Sequence, residues 1–295
     1  NIADLTGIEA FVNITGLNFR GNDLTTIDLS KNTKLTWVDL DSNNLSQVDF
    51  SKNLALNFID ISLNELNSLD ISLLVNLESL YAGDNKITSI DVSNNINLKN
   101  LWLNINELTS IDIASNINLE NLQLDWNFNL SAIDFSNNLE LNRIHVWRTS
   151  LTTLDVSMLS KLQRLYISDT QITTLDISNN PKLYDIRLGE TNVTSLDVSK
   201  NVLLERIDVF KTKITSLNIS KNTNLVELNA SDNNIVNIDI QRNANLENLL
   251  INNNLLERAV LRNGNNAAIT NLDITGNENL TCISVDNVAY ANDNW

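Results

Sequence analysis

The side chains of this sequence that could take part in chemistry are mostly carboxylates. Its 295 residues include 36 acidic and 20 basic residues, one histidine (His145) and one cysteine (Cys282). These counts nearly exclude a Cys–His dyad or a multi-histidine metal site, and no G-x-S-x-G motif accompanies His145. Carboxylate pairs such as Asp39 with Asp60, or Asp185 with Asp208, could act as in a glycosidase. On an open surface they would lack the burial that raises the pKa of a catalytic acid. The sequence therefore predicts a protein that is not an enzyme, with a glycosidase as the least favoured alternative.

Aspartates recur at a nearly constant spacing, interrupted by Asn218. They are Asp28, Asp49, Asp70, Asp91, Asp112, Asp134, Asp155, Asp176, Asp197, Asp239 and Asp273. Serine follows most of them two residues later, as Ser30 follows Asp28, so hydrogen bonds within local turns are the simplest interpretation. Calcium is the alternative, but it needs about six to eight converging oxygen ligands, and no D-x-D-x-D loop is present to supply them. We therefore expect no cofactor, and calcium is the one metal that this column leaves open.

The spacing of the aspartates belongs to a repeat that organises the whole chain. One copy of the pattern LxxLxLxxNxL consists of Leu98, Leu101, Leu103, Asn106 and Leu108. Copies begin 21 residues apart and then, after one step of 22 residues, 21 apart again: Ile14, Leu35, Leu56, Leu77, Leu98, Leu119, Leu141, Leu162, Leu183, Leu204, Leu225 and Leu246. Such a period indicates a solenoid, in which each coil buries its apolar side against its neighbours.

Two short segments of alternating apolar and polar residues occur in each copy. Leu101-Trp102-Leu103 is an example of the first segment, and Ile111-Asp112-Ile113 of the second. This alternation is typical of half-buried strands, and a coil of this length leaves little room for a helix. We therefore predict a β-rich solenoid of the leucine-rich-repeat type, with 21-residue coils, parallel sheets on its concave and convex faces, and little helix.

A single leucine-rich-repeat domain is predicted over residues 1–295. Residues 1–13 would form an N-terminal cap in which Ile8, Phe11 and Val12 cover the first coil. Regular coils would occupy residues 14–254. Residues 255–268 depart from the period and are interpreted as an insertion, either a short helix or a longer loop. Residues 269–295 would form the last coils and a C-terminal cap, with a final copy of the pattern starting at Leu280.

One inward position of each copy is polar rather than apolar. An asparagine there must be hydrogen-bonded, because an unpaired buried amide costs about 1–3 kcal/mol, and threonine can make part of the same pattern. We predict a structural ladder of Asn22, Asn43, Asn64, Asn85, Asn106, Asn127, Thr149, Thr170, Thr191, Thr212, Asn233 and Asn254. The change to threonine coincides with the extra residue near Trp126 and Phe128. We expect a small bulge there, and a binding site made by this aromatic pair is the less favoured alternative.

The outward positions of the first segment carry many of the chain's aromatic residues, together with arginines in an otherwise acidic protein. Exposed aromatics beside arginine are anchors that interfaces use. Strand propensity and cross-strand packing would also place aromatics there. We predict a ligand-binding concave face made of Trp37, Phe58, Tyr81, Trp102, Arg143, His145, Trp147, Arg164, Tyr166, Arg187, Arg206 and Phe210.

The sequence leaves two classes of ligand open. A protein partner is favoured, because a long sheet offers a broad contact area without a deep pocket. A polysaccharide is the alternative, since sugar rings could stack on the aromatics and arginines would suit sulfated or uronic sugars. The net charge of −16 argues against duplex nucleic acid and anionic membrane surfaces. No apolar run is long enough to span a membrane, and we expect a monomer.

The two ends of the chain carry a resemblance to a known family. IADLTGIEAFVNITGLNFRGNDLTTIDLSKN and NLTCISVDNVAYANDNW are similar to the opening and closing segments of secreted leucine-rich-repeat proteins of Bacteroidetes, especially flavobacteria, and the repeats match the same group. Internalins, bacterial surface proteins that bind host proteins, are more distantly similar. The resemblance implies an extracellular or outer-surface binding or adhesion protein with no catalytic residues. In such proteins a cysteine at the position of Cys282 pairs with another just beyond the end of this chain; without that partner, Cys282 is expected to be a free thiol.

Overall fold

The computed structural model describes residues 1–295, which form two compact units, Asn1–Ser150 and Leu151–Trp295. Both units consist of coils built around three-residue strands, and the central residue is buried in every strand except β15 and β16. The strands are β1 (Gly16–Asn18), β2 (Trp37–Asp39), β3 (Phe58–Asp60), β4 (Ser79–Tyr81), β5 (Asn100–Trp102), β6 (Asn121–Gln123), β7 (Arg143–His145), β8 (Arg164–Tyr166), β9 (Asp185–Arg187), β10 (Arg206–Asp208), β11 (Glu227–Asn229), β12 (Asn237–Asp239), β13 (Asn248–Leu250), β14 (Arg258–Val260), β15 (Asn271–Asp273) and β16 (Cys282–Ser284). One α-helix, α1 (Val288–Asn294), and two 3₁₀ turns, Ile8–Ala10 and Asn266–Ala268, complete the secondary structure.

The first unit contains one parallel sheet, β1 to β7 in chain order. Leu80 lies opposite Leu101, and Leu101 lies opposite Leu122, so the repeat places equivalent residues side by side. All three leucines are fully buried, and each contributes about 2 kcal/mol by removing apolar surface from water. Because side chains alternate between the two faces of a strand, the flanking positions form straight outward rows along the unit.

The second unit repeats this architecture with β8, β9, β10, β11, β13 and β15. Outside β15, its central residues are again buried, as in Ile186, Ile207 and Leu228, which lie opposite one another in successive strands. A second, three-stranded parallel sheet consists of β12, β14 and β16. The predicted solenoid of parallel strands with almost no helix is therefore confirmed.

The second predicted sheet is present only in these three strands. Elsewhere the second segment of each coil, such as Ile111-Asp112-Ile113, is extended but does not pair as a strand. Its inward residue, Ile113, is nevertheless buried. Alternating burial reports which side chains face the core, and it does not report whether neighbouring backbones come close enough to form a ladder.

Residues 255–268 continue the coil pattern and are not an insertion of their own. They contain β14 and the turn Asn266–Ala268, and Asn248 of β13 pairs with Asn271 of β15, a step of 23 residues. The last main-sheet coil therefore starts near the buried Ile269 instead of at Leu280. Residues 282–284, which resemble a first segment in sequence, form β16 of the second sheet because they pair with β14.

The two ends of the chain pack less completely than the coils. Ile8–Ala10 forms a 3₁₀ turn, but Phe11 and Val12 are 60% and 48% exposed, so the expectation that they cover the first coil is wrong. At the other end Asn287 caps α1 by accepting a hydrogen bond from the N–H of Tyr290. No helix of the structure has the length and apolar content needed to cross a membrane.

The predicted inward column is held by hydrogen bonds between coils. The Nδ2 of Asn106 donates to the carbonyl of Ala82 in the preceding coil at 3.0 Å, and to those of Leu103 and Asn104 in its own coil. Its Oδ1 accepts from the N–H of Ile87 at 2.9 Å. One side chain thus satisfies backbone groups that no strand pairing reaches. Where the column changes to threonine the bonding is simpler.

A second inward column was not recognised in the sequence. The Nδ2 of Asn116 donates to the carbonyls of Val92 and Asn95, both at 2.9 Å. Equivalent bonds are made by Asn32, Asn53, Asn95, Asn138, Asn180, Asn201, Asn222 and Asn243. The buried Leu74 and Leu159 occupy this position in two coils. The signal was available as asparagine at the same repeat spacing, but leucine in two copies hid it.

Candidate binding face

We use the term strand face for the outward side chains of the main-sheet strands, which are β1 to β11, β13 and β15. The term includes the outward residue two positions after each of these strands. In β5, Asn100 and Trp102 flank the buried Leu101, and Asn104 follows outside the strand. The face is described separately for each unit. All of the aromatic and charged residues predicted to bind a ligand lie on it; whether they do so stays a prediction.

An aromatic row crosses β3 to β5 in the first unit. The ring of Tyr81 contacts that of Phe58 edge-on at 5.3 Å between centroids and that of Trp102 at 4.5 Å. Trp37 lies opposite Phe58 and is 40% exposed. Its indole covers Gly16, where a Cβ would come within 2.1 Å of the ring. Edge-to-face contacts contribute about 0.5–1.5 kcal/mol beyond burial, so these rings are held in place before any partner binds.

A second aromatic cluster lies at the end of the first unit. The ring of Trp126 contacts those of Phe128 at 5.8 Å and Trp147 at 5.5 Å. The Arg148 guanidinium lies 4.0 Å from the centroid of the Trp126 ring and 5.6 Å from that of Trp147. Phe128 is 59% exposed. An aromatic and cationic surface therefore lies beside the extra residue of this coil, next to the strands.

Carboxylates accompany the aromatic row. Asp39 lies opposite Asp60 in the sheet, and Asp41 forms a 3.0 Å ion pair with Arg20. Burial raises the pKa of Asp60; hydrogen bonds from Ser62 act against it, and the negative charges of Asp41 and Asp39 add to the rise. The expectation that carboxylates on this face keep exposed surroundings is therefore wrong for Asp60, because neighbouring side chains cover it.

Asp125 is the most perturbed carboxylate of the first unit. It is 7% exposed, and burial raises its pKa to about 6. By the pairing of β5, β6 and β7, it lies between Asn104 and Trp147 on the strand face. No ion pair with a basic side chain offsets its burial. Such a carboxylate remains a strong acceptor for a donor or cation that approaches from outside.

The second unit arranges its charged side chains into a network. The hydroxyl of Tyr166 donates to Asp185 at 2.6 Å, and Arg187 donates to the same carboxylate at 3.3 and 3.4 Å. The Arg187 guanidinium also lies 4.6 Å from the centroid of the Tyr166 ring. Burial, followed by the bond to Asp185, raises the pKa of Tyr166 to about 12. Asp185 itself is 2% exposed, so the network surrounds a buried charge.

Two more of the predicted arginines have partners within the second unit. Arg206 forms a 3.2 Å ion pair with Glu227 of the next strand. Arg164 donates through Nε to the hydroxyl of Tyr184 and lies over its ring. Arg164, Arg187 and Arg206 therefore belong to pairs within the protein, and a ligand would have to replace or share those partners.

Three residues of the predicted ligand-binding set remain: Arg143, His145 and Phe210. Arg143 and His145 lie on β7 of the first unit, opposite Asn121 and Gln123. Phe210 is half-buried in the second unit. The predicted ligand-binding set omits Asp125, Asp185, Tyr184 and Asp208, although Asp185 with Asp208 is one of the carboxylate pairs considered for a glycosidase. Burial raises the pKa of Asp208. Apart from Tyr184, these residues stand at outward positions, and their importance depends on which side chains the neighbouring coils place beside them.

Apart from Asp273, the aspartate column lies away from the strand face and is exposed. Asp273 is half-buried and lies opposite Leu250 in β15, so its assignment to the column is wrong. In seven members of the column hydrogen bonds from the residue two positions later lower the carboxyl pKa; Asp28, Asp49, Asp70, Asp91, Asp155, Asp176 and Asp197 accept from serine. The geometry is that of local turns, as in the 2.9 Å bond from the N–H of Ser30 to Asp28. The structure contains no group of three or more His, Cys, Asp or Glu side chains arranged to hold a metal ion.

The structure is similar to solved leucine-rich-repeat proteins. The functional domain of InlJ from Listeria monocytogenes has 27% identity and a TM-score of 0.79 over 99% of this chain and 70% of that one. The internalin InlF of Listeria monocytogenes has 23% identity and a TM-score of 0.64, over 89% of this chain and 85% of that one. A chain of the Toll–Spatzle complex from Drosophila has 19% identity and a TM-score of 0.69, over 88% and 41%.

These similarities establish the fold. This chain has the leucine-rich-repeat fold. No protein-family model matches it, and no curated protein sequence matches it. The InlJ domain includes a cysteine ladder, whereas Cys282 is the one cysteine here and is exposed and unpaired. The inward columns of this protein therefore depend on hydrogen bonds from asparagine and threonine.

Proposed function

We propose that this protein is a non-catalytic extracellular or cell-surface binding module that recognises a protein partner through the strand face of its first unit. The observation that carries the proposal is the row of Phe58, Tyr81 and Trp102, which is only partly buried and is held by ring contacts, with the exposed Trp37 beside it. A contiguous exposed apolar surface is typical of an interaction site. Rings that are already fixed lose little freedom on binding.

The charges around this row favour a partner that presents lysine or arginine. Asp39, Asp60 and Asp125 have no cationic partner within the protein, and the whole chain carries a net charge of −16. Aromatic faces attract cations, and carboxylates form charge-assisted hydrogen bonds with them. The same charges would accelerate the approach of a basic surface.

The comparisons support a binding role of this general kind. The similar structures include internalins and a chain that was solved in the Toll–Spatzle complex. Because one fold serves many functions, the similarity supports the use of the fold as an interaction module and does not identify the partner. The proposed class of partner is argued from the aromatic row and the carboxylates beside it.

Binding to arrays of basic peptides and of neutral and anionic oligosaccharides would test the partner class. The double variant Tyr81→Ala with Trp102→Ala removes the centre of the row. We expect it to weaken retention of lysine- and arginine-rich peptides by about 100-fold, because aromatic anchors contribute about 2 kcal/mol or more. The exposed Phe11 lies outside the row, so Phe11→Ala is the matched control and should leave retention unchanged.

Circular dichroism and the melting temperature would show that the double variant is folded. Equal peptide retention by wild type and the double variant would remove the row as the binding site. Retention of oligosaccharides in place of peptides, lost in the same variant, would replace the protein partner by a polysaccharide.

A further inference from the structure

A groove of about 560 Å³ lies on the second sheet of the second unit, away from the strand face. Its walls come from β12, β14, the turns that follow them, and residues 217–220 of the preceding coil. The polar lining is provided by Asn218, Ser220, Asn237, Asp239, Gln241 and three arginines, Arg242, Arg258 and Arg262. The volume is in the range of small-ligand sites, which is about 300–1,000 Å³.

The groove lies where the acidic column of the repeat is interrupted. Asp239 pairs with Val260 of β14, and Val260 pairs with Ser284 of β16, so two coils after Asp239 carry no carboxylate at this position. The coil before Asp239 carries Asn218. Asp239 is therefore the one carboxylate among the groove residues, which also include three arginines. The local charge is positive in a protein whose net charge is −16.

The three arginines differ from the paired arginines of the strand face. Arg187 and Arg206 form ion pairs with carboxylates of their own unit. The guanidinium groups of Arg242, Arg258 and Arg262 form no ion pair or hydrogen bond within the protein. Like charges that gather without counterions repel one another, so this arrangement is more favourable with an anion bound.

The backbone beneath these arginines is fixed. The N–H of Ile240 donates to the carbonyl of Val260 at 3.0 Å, and the N–H of Leu261 donates to that of Ser284 at 2.7 Å. Arg258 lies directly opposite Asn237 in the pairing of β12 with β14. Guanidinium groups that extend from a rigid sheet can bind oxyanions through two parallel hydrogen bonds.

We propose that this groove binds the sulfate or carboxylate groups of an anionic oligosaccharide. The arginines bind the oxyanions, while the amides of Asn218, Asn237 and Gln241 and the hydroxyl of Ser220 can both donate to and accept from sugar hydroxyls. Such dual groups suit a polyhydroxy ligand better than an acidic peptide, which offers carboxylates to the arginines but few hydroxyls to the amides. The site is independent of the strand face and of its protein partner.

Isothermal titration calorimetry with a sulfated tetrasaccharide tests the proposal. The double variant Arg258→Gln with Arg262→Gln should weaken binding by about 100-fold, since charge-assisted hydrogen bonds to each guanidinium are lost. Arg206→Gln, which removes an arginine already paired with Glu227, is the matched control and should bind as the wild type does. Tyr81→Ala with Trp102→Ala should also leave this binding unchanged.

A variant that should bind the ligand more tightly shows that the loss of affinity in the double arginine variant is not caused by misfolding. Asp239→Asn should strengthen binding by about threefold to tenfold, because it removes the one negative charge of the groove. Asn218 shows that asparagine preserves the local turn, since its Oδ1 accepts from the N–H of Ser220 as Asp239 accepts from that of Gln241. The gain should shrink as the salt concentration rises.

Three outcomes would overturn the proposal. The first is unchanged affinity in the double arginine variant. The second is equal affinity for hexaglutamate and for the sulfated tetrasaccharide, which would reveal attraction to any anion. The third is binding of inorganic sulfate without any added affinity for the sugar, which would leave no role for the amide and hydroxyl groups.

Discussion

Two buried aspartates on the strand face, one in each unit, show how differently the same residue type is used. Asp125 of the first unit is 7% exposed and has no basic partner, and its pKa rises to about 6. Asp185 of the second unit is 2% exposed and accepts hydrogen bonds from Tyr166 and Arg187. The degree of burial is similar, but the partners decide whether the charge weakens the fold or holds its neighbours together.

The interior columns beneath the two faces differ in the same way. In the first unit Asn106 bonds to several backbone groups of two coils. In the second unit Thr191 donates one bond, to the carbonyl of Leu188 at 2.8 Å. In the first unit, therefore, single interior side chains such as Asn106 make more hydrogen bonds. More of the charged side chains on its strand face have no partner of opposite charge.

The largest expected effect follows from the interior column. Asn106→Ala would leave the N–H of Ile87 without a partner in the core, and the carbonyl of Ala82 would keep only the bond from Asn85. We expect a loss of about 3 kcal/mol in the free energy of unfolding, because an unsatisfied buried group costs about 1–3 kcal/mol and the other lost bonds of Asn106 add to it. Thr191→Ala removes one bond and should cost about 1 kcal/mol. Urea unfolding of both variants measures the difference, and equal losses would show that the two columns are equivalent.

Much of this fold could be predicted from the repeat alone. Leu101 and its equivalents identify the inward positions, and the spacing of Asn106 predicts the ladder, because a polar residue that recurs in the core must be hydrogen-bonded. The assignment of Leu280 as a coil start was wrong because Cys282–Ser284 has the same alternation as a main-sheet strand. Only pairing distinguishes the two sheets.

The face was harder to predict than the core. Residue types at outward positions are visible in the sequence, and the aromatic row of Tyr81 and Trp102 follows from them. Whether an outward side chain is free to bind a ligand depends on its rotamer and its neighbours, as the ion pair of Arg206 with Glu227 shows. The groove around Arg258 escaped notice because it depends on the second sheet, whose limits the alternation did not define.

The second prediction concerns Asp125. Its folded pKa of about 6 lies above the ordinary value of 3.8, so between about pH 4 and 6 the folded protein holds a proton that the unfolded chain has released. Stability therefore falls as the pH rises through this range. A shift of about two pKa units corresponds to about 3 kcal/mol. Asp125→Asn should raise the free energy of unfolding by about 2–3 kcal/mol at pH 7.5 and change it little at pH 3.5.

Urea unfolding of Asp125→Asn and the wild type at these two pH values is the measurement. Asp70→Asn is the matched control, because Asp70 is exposed and hydrogen bonds from Ser72 lower its pKa. That variant should not be stabilised at pH 7.5. A gain at both pH values alike would show that the amide of the new residue packs better and that ionisation of Asp125 is not the cause.

The third prediction concerns Asp185, and its expected effect is smaller than that for Asp125 and opposite in sign. Asp185→Asn removes the charge that Arg187 and Tyr166 share. We expect a loss of about 2 kcal/mol, less than for a fully buried ion pair, because Arg187 is 45% exposed. The pKa of Tyr166 should also fall from about 12 toward its ordinary value, because an anion next to a phenol disfavours its ionisation.

Ultraviolet titration of the phenols reads out this pKa directly, since the chain has four tyrosines. Tyr166→Phe identifies the signal of that residue, and it also shows how much of the stability loss comes from the single bond of the hydroxyl to Asp185. If Asp185→Asn stabilised the second unit as Asp125→Asn is expected to stabilise the first, the contrast between a paired and an unpaired carboxylate would be refuted. A loss of stability together with a lower Tyr166 pKa would instead assign the difference between the faces to Arg187 and Tyr166, because these partners are what Asp125 lacks.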